Sequence, residues 1–276
     1  MKTLNVLIVI FLFSFSGIFA QHKKIDAYFK LMPADIQKPK PEIQEYNVSL
    51  KWQNLDALTG NKLNCNLVNG IYKVGLNDSV YWKDVSLAQI RDFNQQKVIS
   101  NPLPAFDSLA YKSMDTAFLS ERFYNKIPAK QRDLAKWLVS DAVQMQGLAT
   151  YVFDSLEFKK EFIPKMLENY NVKFEDWVNF TSRYQKLIWS GITLCNSEVC
   201  AIIKFESYYN PIEINNDQMQ MKGRSLYYGE MWISLTDKQI EYSVMMEDNV
   251  IKLKSSMFPQ EQLIDLQREI VFSKRN

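Results

Sequence analysis

Hydrophobic and polar positions change period along this chain, and the changes divide it. From Tyr46 the apolar residues Tyr46, Val48, Leu50 and Trp52 alternate with Asn47, Ser49 and Lys51, the period of a half-buried strand. Two apolar runs follow, Leu63–Leu67 and Ile71–Leu76, separated by Val68-Asn69-Gly70. Asn-Gly tolerates positive φ at both positions, so the pattern predicts a hairpin there. Ser79–Val85 adds a further strand. Past Asn101-Pro102-Leu103-Pro104 the period becomes helical: Asp115 is placed to cap a helix through Tyr124, and Pro128 suits a first turn. Leu134, Leu138, Ala142, Met145, Ala149, Val152 and Leu156 then form one long apolar stripe, which reads as core. Glu157–Asn169 predicts another short helix.

The last hundred residues return to strand character. The expected strands are Trp177–Tyr184, Leu187–Leu194, Ala201–Tyr208, Leu226–Leu235, Ile240–Met246, Val250–Leu253 and Glu269–Ser273. Asn210-Pro211 and Asn215-Asn216-Asp217 read as loop, Thr236–Gln239 as a tight turn, and Pro259–Ile264 as one helical turn. Short strands with short connections describe an antiparallel meander. The fold class is therefore α+β: a β-rich segment over 44–100, a helical segment over 105–172 dominated by one long helix, and an antiparallel sheet or half-barrel meander over 174–276. Residues 44–276 could form one domain.

The amino terminus is a separate matter. Lys2 precedes an apolar run from Leu4 to Phe19, ending at Ala20 before the polar Gln21-His22-Lys23-Lys24. This is the order of parts in a secretory signal peptide, and cleavage is expected between Ala20 and Gln21. Residues 21–43 read as a short helix and a proline-punctuated linker. No later apolar run reaches membrane-spanning length, so the mature chain is expected to be secreted or periplasmic.

Charge and residue counts narrow the chemistry. The 33 Lys+Arg nearly balance the 31 Asp+Glu, and no basic stripe stands out, which argues against nucleic acid as a partner. His22 is the sole histidine and falls near the expected mature terminus, so imidazole-based nucleophilic catalysis and His/Cys zinc clusters have too few ligands. The eight glycines form no dinucleotide or phosphate-loop pattern, and neither a cofactor nor a metal is implied. Of the three cysteines, Cys195 and Cys200 bracket a turn between two apolar runs. As a hairpin they would face each other in disulfide reach; the alternative is two reduced, half-buried thiols. Cys65 is the odd one.

Two constellations could carry function. Glu206, Glu230, Glu241 and Glu247 lie on expected strands, where paired acids would serve a retaining glycosidase and single acids are solvated face residues. Glu230 alternates with Tyr228 and Trp232, which puts one acid between two aromatics on one face, with Trp189 nearby in the preceding hairpin. Such a face suits an apolar or aromatic-stacking ligand, or an envelope-protein partner. The architecture loosely resembles that of the periplasmic lipoprotein carriers, which hold acyl chains in a half-open barrel, without a shared motif. A binding or accessory protein leads, ahead of a carboxylate-dependent hydrolase of polysaccharide or peptidoglycan and an interaction module without a small-molecule site.

Overall fold

The computed structural model describes residues 43–75, 79–90, 98–112, 116–165, 170–174, 178–196, 198–215, 219–255 and 260–275. The expected signal peptide and linker lie outside them. The strands are β1 (Gln44–Asp56), β2 (Lys62–Val74), β3 (Ser79–Ile90), β4 (Ser100–Pro102), β5 (Ala110–Lys112), β6 (Glu161–Phe162), β7 (Tyr170–Phe174), β8 (Val178–Ser182), β9 (Lys186–Cys195), β10 (Glu198–Asn215), β11 (Met219–Ser234), β12 (Ile240–Ser255) and β13 (Gln262–Lys274). Among the described residues one α-helix, α1, spans Arg132–Gly147.

All thirteen strands of the described residues join one open, antiparallel sheet in the order β4-β3-β2-β1-β13-β12-β11-β10-β8-β7, with β5 pairing with the start of β3 and with β9 and β6 continuing beyond the other half of β10. The joint is the β1–β13 ladder, in which Tyr46 lies opposite Lys274 and Asp56 opposite Ile264. It makes the amino-terminal strands and the carboxy-terminal meander one surface. Each strand alternates faces, so the register assigns every side chain to one of two sides.

One side is covered by α1 and the turns before it. Tyr46, Tyr72, Trp82 and Phe272 meet there with centroids 5.1–6.5 Å apart, Tyr46 and Tyr72 tilted and the other pairs edge to face. Leu50, Val68, Ile270, Met245 and Phe205 continue the layer, and Ala135, Leu138, Val139, Ala142 and Met145 pack on it from the helix. Gly229 is required in this layer. A Cβ there would lie 2.0 Å from the Val244 carbonyl oxygen and 2.7 Å from Cζ of Phe205.

Several expected elements take another form. The Asn69-Gly70 hairpin is instead a bulge inside β2: the β2–β3 register shifts between Asn69 and Ile71, and a Cβ on Gly70 would meet Cγ2 of Val85 at 3.0 Å. Glycine serves close strand approach here, not a reversal. The helix before Pro128 is two 3-10 turns, Thr116–Leu119 and Glu121–Tyr124; Asp115 lies outside the described residues. The long stripe is helical only to Gly147, widens into a π turn over Leu148–Val152 and tightens into a 3-10 turn over Phe153–Ser155. Where a helix was expected after Glu157, Phe158 bridges to Trp189 and Glu161–Phe162 pairs with β9. Asn210-Pro211 is no loop: β10 runs through it, and β12 likewise joins Ile240–Met246 to Val250–Leu253. At the expected helical turn, Gln262 already begins β13; residues 256–259 lie outside the described set.

Candidate functional site

The two faces of the sheet differ in chemistry. On the covered face, Glu247 of β12 sits directly opposite Arg268 of β13. Arg268 donates to Glu247 at 2.5 and 2.7 Å and to Asp141 of α1 at 2.8 Å, while the Ser225 hydroxyl donates to Glu247 at 2.6 Å. The indole of Trp137 stacks on the guanidinium with its centroid 4.6 Å away. Burial outweighs the attraction of Arg268 and pushes the Asp141 carboxyl up to about 6. Six residues along the same strand pair, Lys274 binds Glu241, which also accepts from Asn196 at 3.3 Å. Glu241 and Glu247, expected as solvated face acids, are thus buried clamps; the cationic alternation of Arg268 and Lys274 on the last strand was the available clue.

The opposite face carries Tyr228, Glu230 and Trp232 together, as the alternation on β11 predicts. The Trp232 indole N–H donates to Glu230 at 3.0 Å and its ring packs on Tyr242 at 4.9 Å. Tyr228 stays 39 % exposed. Trp189 does not join them. It lies opposite Ile203, on the covered face, against Phe153 and Phe158 at 5.9 and 5.7 Å, because the β9–β10 register shifts at Ile202/Ile203.

Beside Tyr228 is a shallow hollow of about 220 Å³ whose lining includes Lys51, Gln53, Met246, Asp248, Gln267 and Glu269. A second hollow of about 390 Å³, edged by Asn47, Ser49, Asn69, Ile71, Val271 and Ser273, continues it along β1 and β13 on the same face. Amides order the floor: Gln53 donates to Gln267 at 2.8 Å, and Gln267 to Asp265 at 3.1 Å. Burial, then Asp265 and Glu247, raise the Asp248 carboxyl above its ordinary value. Glu206 shares this face with Tyr228, but Lys186 at 2.6 Å and the Tyr208 hydroxyl at 2.5 Å engage it and lower its pKa. The four strand acids therefore do not converge; two lie on each face, each with its own partner. The hollow residues of β1 and β13 were out of reach of sequence reading, since more than two hundred residues separate the strands that bring them together.

The cysteines are free thiols. Cys195 pairs with Glu198 and Cys200 with Thr193, a diagonal relation instead of the facing one a disulfide was expected to use. Burial pushes the Cys200 thiol up to about 12. Among the described residues no cluster of three or more His, Cys, Asp or Glu could hold a metal, and no helix is long and apolar enough to cross a membrane.

No protein-family model matches the chain, and no curated protein does. Among solved structures, it is similar over 88 % of its length to a lipovitellin chain solved for its lipid–protein interactions. Identity is 11 % and the TM-score 0.38, and the match covers 26 % of that chain. A likeness at that score carries no argument about fold or ligand.

Proposed function

We propose that the chain is an exported binding protein that holds a polar ligand with a flat apolar face against Tyr228, on the side of the sheet turned away from α1. The observation that carries this reading is the exposed Tyr228 ring at the rim of a hollow lined by amides, carboxylates and Lys51. A tyrosine ring offers stacking surface at little conformational cost, and the surrounding side chains offer donors and acceptors in fixed positions. Trp232, Glu230 and Tyr242 support the wall next to it by holding one another. The polar lining favours an aromatic-stacking ligand over a greasy one. The amino-terminal run Leu4–Phe19 supports export with cleavage after Ala20.

The test is native mass spectrometry of the chain purified from its own host, for wild type, Tyr228→Ala and Trp189→Phe. The reading expects cleavage after Ala20, a small molecule carried by wild type and Trp189→Phe, and its loss from Tyr228→Ala. Retention of that molecule by Tyr228→Ala would overturn it.

A further inference from the structure

The sheet splits at β10. Its second half pairs with β8 and its first half with β9, and between them the β10–β11 register shifts at Ser207/Asn210, placing Tyr208 and Tyr209 as a bulge opposite Leu226. The junction is fixed from within by two side chains with no exposure, Ser207 and Asn210. Ser207 donates to the Arg183 carbonyl at 2.6 Å; Asn210 accepts from the Arg183 N–H at 2.7 Å and donates to the Ser207 and Ser225 carbonyls, each at 3.3 Å.

This buried frame holds two tyrosines in left-handed backbone, Tyr184 at φ 47° and Tyr209 at φ 61°. Such conformations are costly for bulky residues and persist only where the surroundings impose them. No core packing compensates: Tyr209 is 67 % exposed, Tyr184 55 % and Tyr208 47 %. Strained backbone and exposed rings at one junction are the signature of a presented surface.

The register also fixes where that surface lies. Glu206, Tyr228, Met246, Glu269 and Lys51 stand opposite one another in a single row across five strands, on the open face. Tyr208 reaches this row through its hydrogen bond to Glu206, and Arg224, on the same face, packs on the Tyr209 ring at 5.3 Å. Five strands at their usual spacing make a path about 19 Å long from the hollow to the bulge.

We propose that the Tyr208–Tyr209 bulge is the outer subsite of an elongated site, and that its ligand is a neutral oligosaccharide chain lying across the strands from the hollow past Tyr228. This rests on the binding role proposed for Tyr228. The rings are separated by Glu206, Lys186 and Arg224, so an acyl chain finds no continuous apolar surface, and the mixed signs select neither a polyanion nor a polycation. Rings that stack, interleaved with groups that donate and accept, match a sugar's apolar face and its hydroxyl edge.

The test is an array of neutral oligosaccharides two to eight units long, probed with the full mature chain and its variants. Wild type is expected to bind a subset with affinity rising with length. Tyr208→Ala/Tyr209→Ala should weaken the longest ligands about tenfold and flatten the length dependence, the scale of one lost aromatic contact. Tyr209→Gly, which relieves the backbone, should lose the same affinity while the melting temperature holds or rises; a melting temperature that falls would show a structural role and overturn the subsite. Binding that depends on Tyr228 but is equal for short and long ligands would overturn the elongated site and leave the first reading standing. Absence of binding to every member would overturn the oligosaccharide site, while the role of Tyr228 stands or falls on the molecule carried from the host.

Discussion

One sheet presents two faces built from the same strands, and neighbouring residues on those strands do opposite work. Tyr227 is buried on the covered face and Tyr228 is exposed beside a hollow; Glu247 is clamped by Arg268 while Asp248 lines that hollow. On the covered face charge is tolerated because each acid meets a cation or a donor. On the open face aromatic rings remain in water, and the polar groups keep capacity for a ligand. Stability should therefore respond to changes on the first face, and binding to changes on the second.

The largest expected effect is Arg268→Met. It strips Asp141 and Glu247 of their shared partner and should destabilise by about 3–5 kcal/mol in urea unfolding. Next is Gly229→Ala, whose methyl meets backbone at 2.0 Å; overpacking of this kind costs about 1–3 kcal/mol. Loss of stability from Tyr228→Ala on a similar scale would break the comparison between faces.

A pH experiment sharpens it. The Asp141 carboxyl is raised from an ordinary 3.8 to about 6 in the folded chain. Between those values the native state holds a proton that the unfolded state has released. Asp141 thus favours folding most below about pH 4, and that advantage declines as the pH rises to about 6. Unfolding midpoints of wild type should fall relative to those of Asp141→Asn across this window, and the penalty of Arg268→Met should be smaller at its acid end. An unchanged difference between wild type and Asp141→Asn from pH 4 to 7 would contradict the assignment. The smallest expected effect is on the open face: Tyr228→Ala should change stability by about 0.5 kcal/mol or less, as surface substitutions do, while abolishing binding.

Local pattern carried much of this architecture. Alternation on β1, β10, β11 and β12 announced strands, and the same alternation put Tyr228, Glu230 and Trp232 on one face before any pairing was known. Pattern failed where a residue answers to a distant partner. Asp141 interrupts an apolar stripe because Arg268 waits on β13, and Gly70 sits in Asn-Gly because Val85 leaves no room for a side chain. Trp189, expected near Tyr228 and Trp232, lies on the other face, because one register shift inverts everything beyond it. The hollow was invisible for the reason that the fold is continuous: β1 meets β13 only in three dimensions.

The most direct test of the two-face account is amide chemical-shift mapping of the mature, isotope-labelled chain titrated with a neutral hexasaccharide that the array selects. The account predicts shifts along Lys51, Met246, Tyr228, Glu206 and Tyr209, with Ala135–Met145 of α1 unmoved. Shifts centred on α1 and on Arg268 and Ile270 would place the ligand under the helix and contradict it.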